Sequence, residues 1–186
     1  MRYGPNPEQL AAIAKACGCE VGSTHELPDG ELAYQMGCRS HAAKVQLLAE
    51  LAEYDSRTPE VRRAAEMIAA GAGSAIEQIE RLHCYVRDRV TFTREPVETF
   101  SPTMHVLDVR MGDCDDTARA LIALLRSLGH EAGVMTLGKP PRHAGAGVRL
   151  GGRWYWLETT IAAHAGEHPI DAAARLGIKL RPDLTG

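Results

Sequence analysis

The chain has 186 residues, 45% of them hydrophobic, with a net charge of −3 and a pI near 6.2. That suffices for one substantial core, or one core plus a small appendage, and the slightly acidic balance speaks against an electrostatic nucleic-acid binder. The apolar stretches are too short to span a bilayer, no basic-then-apolar leader opens the chain, and the five cysteines are an odd number. The expectation is therefore a cytoplasmic protein with reduced thiols and no disulfide framework.

The first elements are helical. Pro7 to Cys17 reads as a short helix that Gly18 ends, and Gly18 to Gly30, with Gly22, Ser23, Pro28, Asp29 and Gly30, reads as loop. A longer helix runs from about Ser40 to Tyr54. Another starts at Pro59 behind the cap Thr58 and lasts to Ala70, where Gly71-Ala72-Gly73-Ser74 breaks it. Ala75 to Arg89 is amphipathic, with Ile76, Ile79, Leu82, His83 and Val86 on one face. Val90 to Thr93 is a short strand. The segment from Arg94 to Gly112, with Pro96 and Pro102 and one helical turn around Met104 to Val109, delivers the chain to Cys114.

Cys114 is the most informative residue. Asp113 is a good N-cap, Asp115 and Asp116 fill a first turn, and an apolar helix runs on to the terminator Gly129. A thiol in that first turn faces unpaired backbone N–H groups and the positive end of the dipole. Ala118, Leu121, Leu125 and Leu128 follow it at helical spacing, so Cys114 points where the apolar stripe packs. The three flanking carboxylates raise a thiol's pKa, so an active thiolate needs a histidine beside it. Without one, Cys114 reads as a small buried hydrophobe.

The histidine comes from a hairpin. Glu131 to Leu137 is a strand; Arg142 to Leu150 and Arg153 to Thr160 are two more around the turn Gly151-Gly152. Pairing Leu150 with Arg153 puts Glu158 opposite Gly145 and His143 opposite Thr160. His143 and Glu158 then share one face as diagonal neighbours, with Cβ atoms roughly 7 Å apart, a gap that Glu bridges. The other face collects Ala144, Ala146, Val148, Leu150, Tyr155 and Leu157. Trp156 shares the His143 face and lies over Gly147. There it is placed to shield the pair from water or to form a substrate wall, and at least one of Trp154 and Trp156 reads as a core aromatic. Pro169 to Leu176 is a late helix.

Gly112-Asp113-Cys114-Asp115-Asp116 before a Leu/Ala-rich helix, a His-led strand, then Gly-Gly-Arg-Trp and a strand ending in a carboxylate resembles the transglutaminase-like superfamily over roughly Ala75 to Thr160. The resemblance implies a papain-like triad in chain order, with Cys114 as nucleophile, His143 as base and Glu158 where an Asp is usual. The Glu lengthens the third arm by one methylene. After the His, Ala144-Gly145-Ala146-Gly147 stands where the family has bulkier residues. These glycines leave room for a substrate or for the Cys114 helix to approach, which makes Gly145 and Trp156 candidate substrate contacts. The implied fold is α+β, a Cys-bearing helix packed on a small antiparallel sheet, with residues 1–72 a helical N-terminal region and 73–186 the catalytic core. The implied reaction is acyl transfer through a Cys114 thioester on a peptide or protein substrate, without a cofactor. Hydrolysis, as in cysteine peptidases, is favoured over transglutaminase cross-linking, and an inactive scaffold of the same fold is the competing class. The helix-start N–H groups, that of Cys114 included, are the expected oxyanion donors; no Gln lies in the segment just before the helix, and the sequence identifies no second donor, Ser101 and Thr99 being guesses.

Other clusters carry weaker signals. Cys17, Cys19, Cys38 and His41, with His25 between them, offer zinc ligands, but Cys-x-Cys is tighter than the usual gap of two to four residues, and separate thiols are the preferred reading. The acidic turn at Asp113 to Asp116 supplies too few ligands for a cation site. Cys84 reads as core, His83 and His130 as surface or helix-end residues, and Asp115 with Arg119 as a surface ion pair. His105 in the approach segment, and His164 and His168 after Glu158, are near enough in sequence to line the site, but all three read first as loop residues. Oligomeric state is not readable.

Overall fold

A computed structural model of the protein describes residues 3–26, 32–94, 99–139 and 142–185. Pro28, Asp29, Gly30 and Pro96, and the side chain of His25, lie outside the described residues. In chain order the elements are α1 (Pro7–Cys17), β1 (Cys19–Glu26), β2 (Leu32–Cys38), α2 (His41–Ser56), α3 (Pro59–Ile68), α4 (Ala75–Arg89), β3 (Thr91–Phe92) and β4 (Thr99–Phe100). They continue with α5 (Thr103–Val109), β5 (Met111–Gly112), α6 (Cys114–Ser127), β6 (Ala132–Leu137), β7 (His143–Leu150), β8 (Arg153–Leu157), α7 (Pro169–Arg175) and α8 (Pro182–Thr185). Among the described residues no helix is long and apolar enough to cross a membrane.

Local chemistry accounts for the helix ends. Asn6 and Gln9 form a capping box ahead of Pro7, and Gly18 at φ 75° closes α1 in the left-handed region that glycine adopts freely. The Thr58 hydroxyl accepts from the Val61 N–H ahead of Pro59. Asp113 caps α6 through the N–H groups of Asp115 and Asp116, and the Asp116 carboxylate accepts from the Asp113 N–H in return.

The α+β architecture centres on α6. Every residue from Asp115 to Leu125 is buried, because α2, α3, α4 and α5 cover the sides that β7 leaves open. A helix apolar nearly all round is the signature of such a central position. The expected stripe of Ala118, Leu121 and Leu125 is therefore part of a wider apolar surface that also takes in Ala120, Ile122, Ala123 and Leu124. Beside it, β6-β7-β8 form an antiparallel sheet with Leu150 paired to Arg153, the register expected from the Gly-Gly turn. Ala144, Ala146, Val148 and Leu157 are buried on its inner face. Tyr155 departs from that set and is exposed, because β8 is an edge strand whose first residues project past the core.

Two corrections concern the N-terminal region. The segment after Gly18 is not loop: β1 pairs antiparallel with β2, and β2 pairs with β4. The strand is hard to see in sequence because the β1–β2 register shifts between Val21 and Thr24, and Gly22, Ser23 and Thr24 are exposed. Cys19 and Cys38, register partners at the base of this hairpin, are joined as a disulfide, in place of the reduced thiols expected. Around them Leu10, Ala14, Tyr34, Met36, Leu47, Leu48, Leu51 and Phe100 form a second core that reaches Ala144 on β7.

Candidate active site

Cys114 opens α6, and its side chain lines a cavity of about 590 Å³ shared with His143, Ala144, Asp115, Lys44 and Phe100. Burial pushes the thiol up to about 12, with Asp115 and then Asp113 acting in the same direction against the Ala144 N–H and Lys44. A thiol disfavoured as an anion in this way needs a base beside it to take its proton during attack.

His143 begins β7 and Glu158 lies one residue beyond the end of β8, on the diagonal that alternation requires. The imidazole Nε2 lies 2.6 Å from Glu158 Oε2. The added methylene of Glu, relative to Asp, spans that diagonal. Glu158 is 1% exposed and uses both oxygens: Oε2 also accepts from the Trp156 indole N–H at 3.3 Å, and Oε1 accepts from the Thr160 N–H and hydroxyl, each at 2.7 Å. Burial disfavours the carboxylate, but the hydrogen bond from His143, its charge and the two donors of Thr160 outweigh burial and hold the group at about 2. An ionised Glu158 accepts from a proton-bearing Nε2, which leaves Nδ1 as the ring nitrogen that can act as base.

Trp156 covers this pair. Its indole stacks on the His143 ring at 6.3 Å between centroids and 16° between planes, and meets His168 edge-on at 5.7 Å. It pairs with Gly147 in the ladder, as expected, yet leans along the strand to lie over Gly145, where a Cβ would sit 2.7 Å from Nε1. Gly145 is thus buried under the indole, which takes the space anticipated for a substrate, while Trp154 and Met135 cover Gly147. Trp154 is itself exposed. Gly145→Ala should displace the indole and cost about 1–3 kcal/mol, the usual range for overpacking. The urea midpoint and a red shift of tryptophan emission would show it; unchanged emission would mean that the ring accommodates the methyl group elsewhere.

The other anticipated residues are distributed as follows. Cys38 and His41 line the Cys114 cavity, but the Cys19–Cys38 bond removes two of the four proposed zinc ligands, and Cys17 is a buried thiol of the second core. Asp113, Cys114 and Asp115 place ligand atoms within 4.8 Å of one another, yet Asp113 caps α6 and Asp115 pairs with Lys44 at 2.6 Å. Asp115 therefore does not pair with Arg119, which is fully buried and bound to Asp55. Ser101 and Thr99 lie outside the cavity wall, and the Ser101 N–H is held by Asp116 at 2.9 Å. His105 is buried in α5 away from the wall, His164 is exposed, and His130 is half-buried against Gln78. Cys84 is half-buried beside Arg87.

Two contributors escape a sequence reading. Lys44 comes from α2, seventy positions before Cys114, with no local motif to mark it. His83 is fully buried, and its Nε2 lies 2.6 Å from the Glu158 carbonyl oxygen, so α4 positions the backbone that carries the carboxylate. Its place on the apolar face with Ile79, Leu82 and Val86 was the available signal.

A family model described as the transglutaminase-like superfamily matches residues 62–159, a little over half of the chain and the stretch that holds Cys114, His143 and Glu158. No curated protein sequence matches. Among solved structures the fold is similar to a candidate cysteine protease from Cytophaga hutchinsonii, with a TM-score of 0.51, 19% identity, and coverage of 61% of this chain and 39% of that one. It is also similar to a candidate protease from Parabacteroides distasonis, with a TM-score of 0.54, 14% identity, and coverage of 69% and 28% respectively. The chain spans well under half the length of either, and at these identities the likeness is one of fold.

Proposed function

Because this chain belongs to the transglutaminase-like superfamily, we propose that it is a thiol-dependent acyl-transfer enzyme whose reaction is hydrolysis of a peptide or amide bond. The observation that carries this reading is the shared cavity wall of Cys114 and His143, with His143 Nε2 held by the buried Glu158. His143 takes the Cys114 proton through Nδ1 as sulfur attacks the carbonyl carbon. The oxyanion meets the backbone N–H of Cys114 at the start of α6. The C–N bond breaks, His143 returns the proton to the departing amine, and a thioester remains. Water then attacks the thioester with His143 again as base, releasing the acid and restoring the thiol. Glu158 keeps the imidazole in the required tautomer throughout.

p-Nitrophenyl acetate supplies a generic acyl donor for the test. The expected result is a burst of p-nitrophenol with the acetyl group on Cys114 by peptide mass spectrometry, not on Cys17 or Cys84, and its loss to water even with a lysine amide present. Transfer of acetyl to the amine would instead favour cross-linking. A Cys114 that stays unmodified, or is acetylated equally fast in His143→Ala, would leave the inactive scaffold as the better account.

A further inference from the structure

The Cys114 cavity carries more positive charge than the thiol chemistry uses. Arg39, Lys44 and Arg142 line it; Asp115 is the carboxylate of its wall, with the Asp113 carboxylate behind the thiol. Lys44 lies 2.6 Å from Asp115, so those two charges offset each other and the guanidinium groups remain. Arg39, at the junction of β2 and α2, donates through Nε to the Gly18 carbonyl at 3.2 Å, a neutral partner that leaves its charge in place. Arg142, just before β7, has Asp183 at 3.8 Å, but Asp183 is bound more closely, at 2.8 Å, by Arg181. Arg39 and Arg142 thus bring to the cavity wall two guanidinium groups, one on a neutral partner and one on a carboxylate shared with Arg181. Met36, Val45, Leu48 and Phe100 supply apolar wall, which lowers the local dielectric and strengthens any ion pair formed inside.

We propose that this cavity selects acyl donors carrying a carboxylate beside the scissile amide, namely acidic peptides, through Arg39 and Arg142. The guanidinium fork matches a carboxylate in two parallel hydrogen bonds, which a neutral amide in the same place cannot reproduce. Two such groups near the reacting thiol would also raise the local concentration of an anionic donor. The inference deepens the hydrolytic reading and rests on it for the word donor; the charge preference itself does not require turnover.

The test is therefore a binding measurement on full-length Cys114→Ala. Calorimetry would compare N-acetyl-Ala-Glu-Ala-Glu-Ala-amide with its Gln counterpart, and with the Gln peptide bearing a free C-terminal carboxylate. The acidic peptide is expected to bind at least roughly tenfold more tightly than the blocked Gln peptide at about 20 mM salt, and the ratio should shrink to within about threefold at roughly 500 mM. Arg39→Gln combined with Arg142→Gln should bring the low-salt ratio close to one; Arg142→Gln alone should lower it in part. If only the free-terminus peptide gains affinity, the carboxylate recognised is the chain end and the side-chain assignment falls. Equal affinities, absence of binding by all three peptides, or a preference that survives the double substitution would overturn the proposal. Acetylation of Cys114 by the neutral ester stands or falls separately, so the two failures are distinguishable.

Discussion

Glu158→Gln should slow acetylation of Cys114 by about 10,000-fold, the size of effect seen when the orienting member of a triad is neutralised or removed. The native carboxylate is acceptor-only at both oxygens, toward His143 and Trp156 on Oε2 and toward the Thr160 N–H and hydroxyl on Oε1. A glutamine must place its NH₂ group against one of these donor sets. Toward His143 it forces the other tautomer and puts the proton on the nitrogen that should act as base; toward Thr160 it leaves buried donors facing each other, at about 1–3 kcal/mol. The pH dependence has a definite sign. The folded carboxyl is held at about 2 against an ordinary 4.5, so its stabilisation is complete above about pH 4.5 and is lost as pH falls toward 2. Urea titrations of wild type and Glu158→Gln should differ most near neutrality and converge between pH 4.5 and 2. A difference that stays constant with pH, or a variant acetylated at the wild-type rate, would remove Glu158 from the machinery.

What was legible in the sequence follows from how local each determinant is. The cap at Asp113, the helix behind Cys114 and the Gly151-Gly152 turn are written in adjacent residues, and strand alternation alone puts His143 and Glu158 on one face. The lean of Trp156 toward Gly145 was not, because a ladder register fixes which residues face each other and not where a long side chain lies along the strand. Nor was the Cys19–Cys38 bond, which depends on a hairpin whose irregular, largely exposed first strand has no clean alternation. Arg119 was misread for a similar reason. Four residues after Asp115 on an isolated helix it looks like a surface partner, but whether a helix face meets water is decided by α2 through α5, from which Lys44 and Asp55 arrive. His83 shows the converse, a residue whose helical position said buried while its residue type suggested surface.

Asp55→Ala is expected to destabilise the fold by about 3–5 kcal/mol, the cost of breaking a buried ion pair from one side. Asp55 Oδ2 accepts from Arg119 Nε at 2.9 Å and from the Thr103 N–H and hydroxyl at 3.0 and 2.6 Å, while Oδ1 accepts from Arg119 Nη2 at 2.9 Å. Arg119 is 0% exposed, and among the described residues its Nη1 has no hydrogen-bond partner, so without Asp55 a full charge would sit in the core uncompensated. Replacing both ends, Asp55→Leu with Arg119→Met, removes that penalty and should return stability to within about 1–2 kcal/mol of wild type. The pair has a second consequence, because it ties α2 and the start of α5 to α6 one turn beyond Cys114. The rotation of α6 about its own axis aims the thiol, and the bidentate Asp55–Arg119 pair adds directional hydrogen bonds that fix that rotation. The double variant should therefore recover its urea midpoint without recovering the rate of Cys114 acetylation. Full recovery of both would make the ion pair a stability element only, and failure to recover the midpoint would show that Thr103 depends on Asp55 more than Arg119 does.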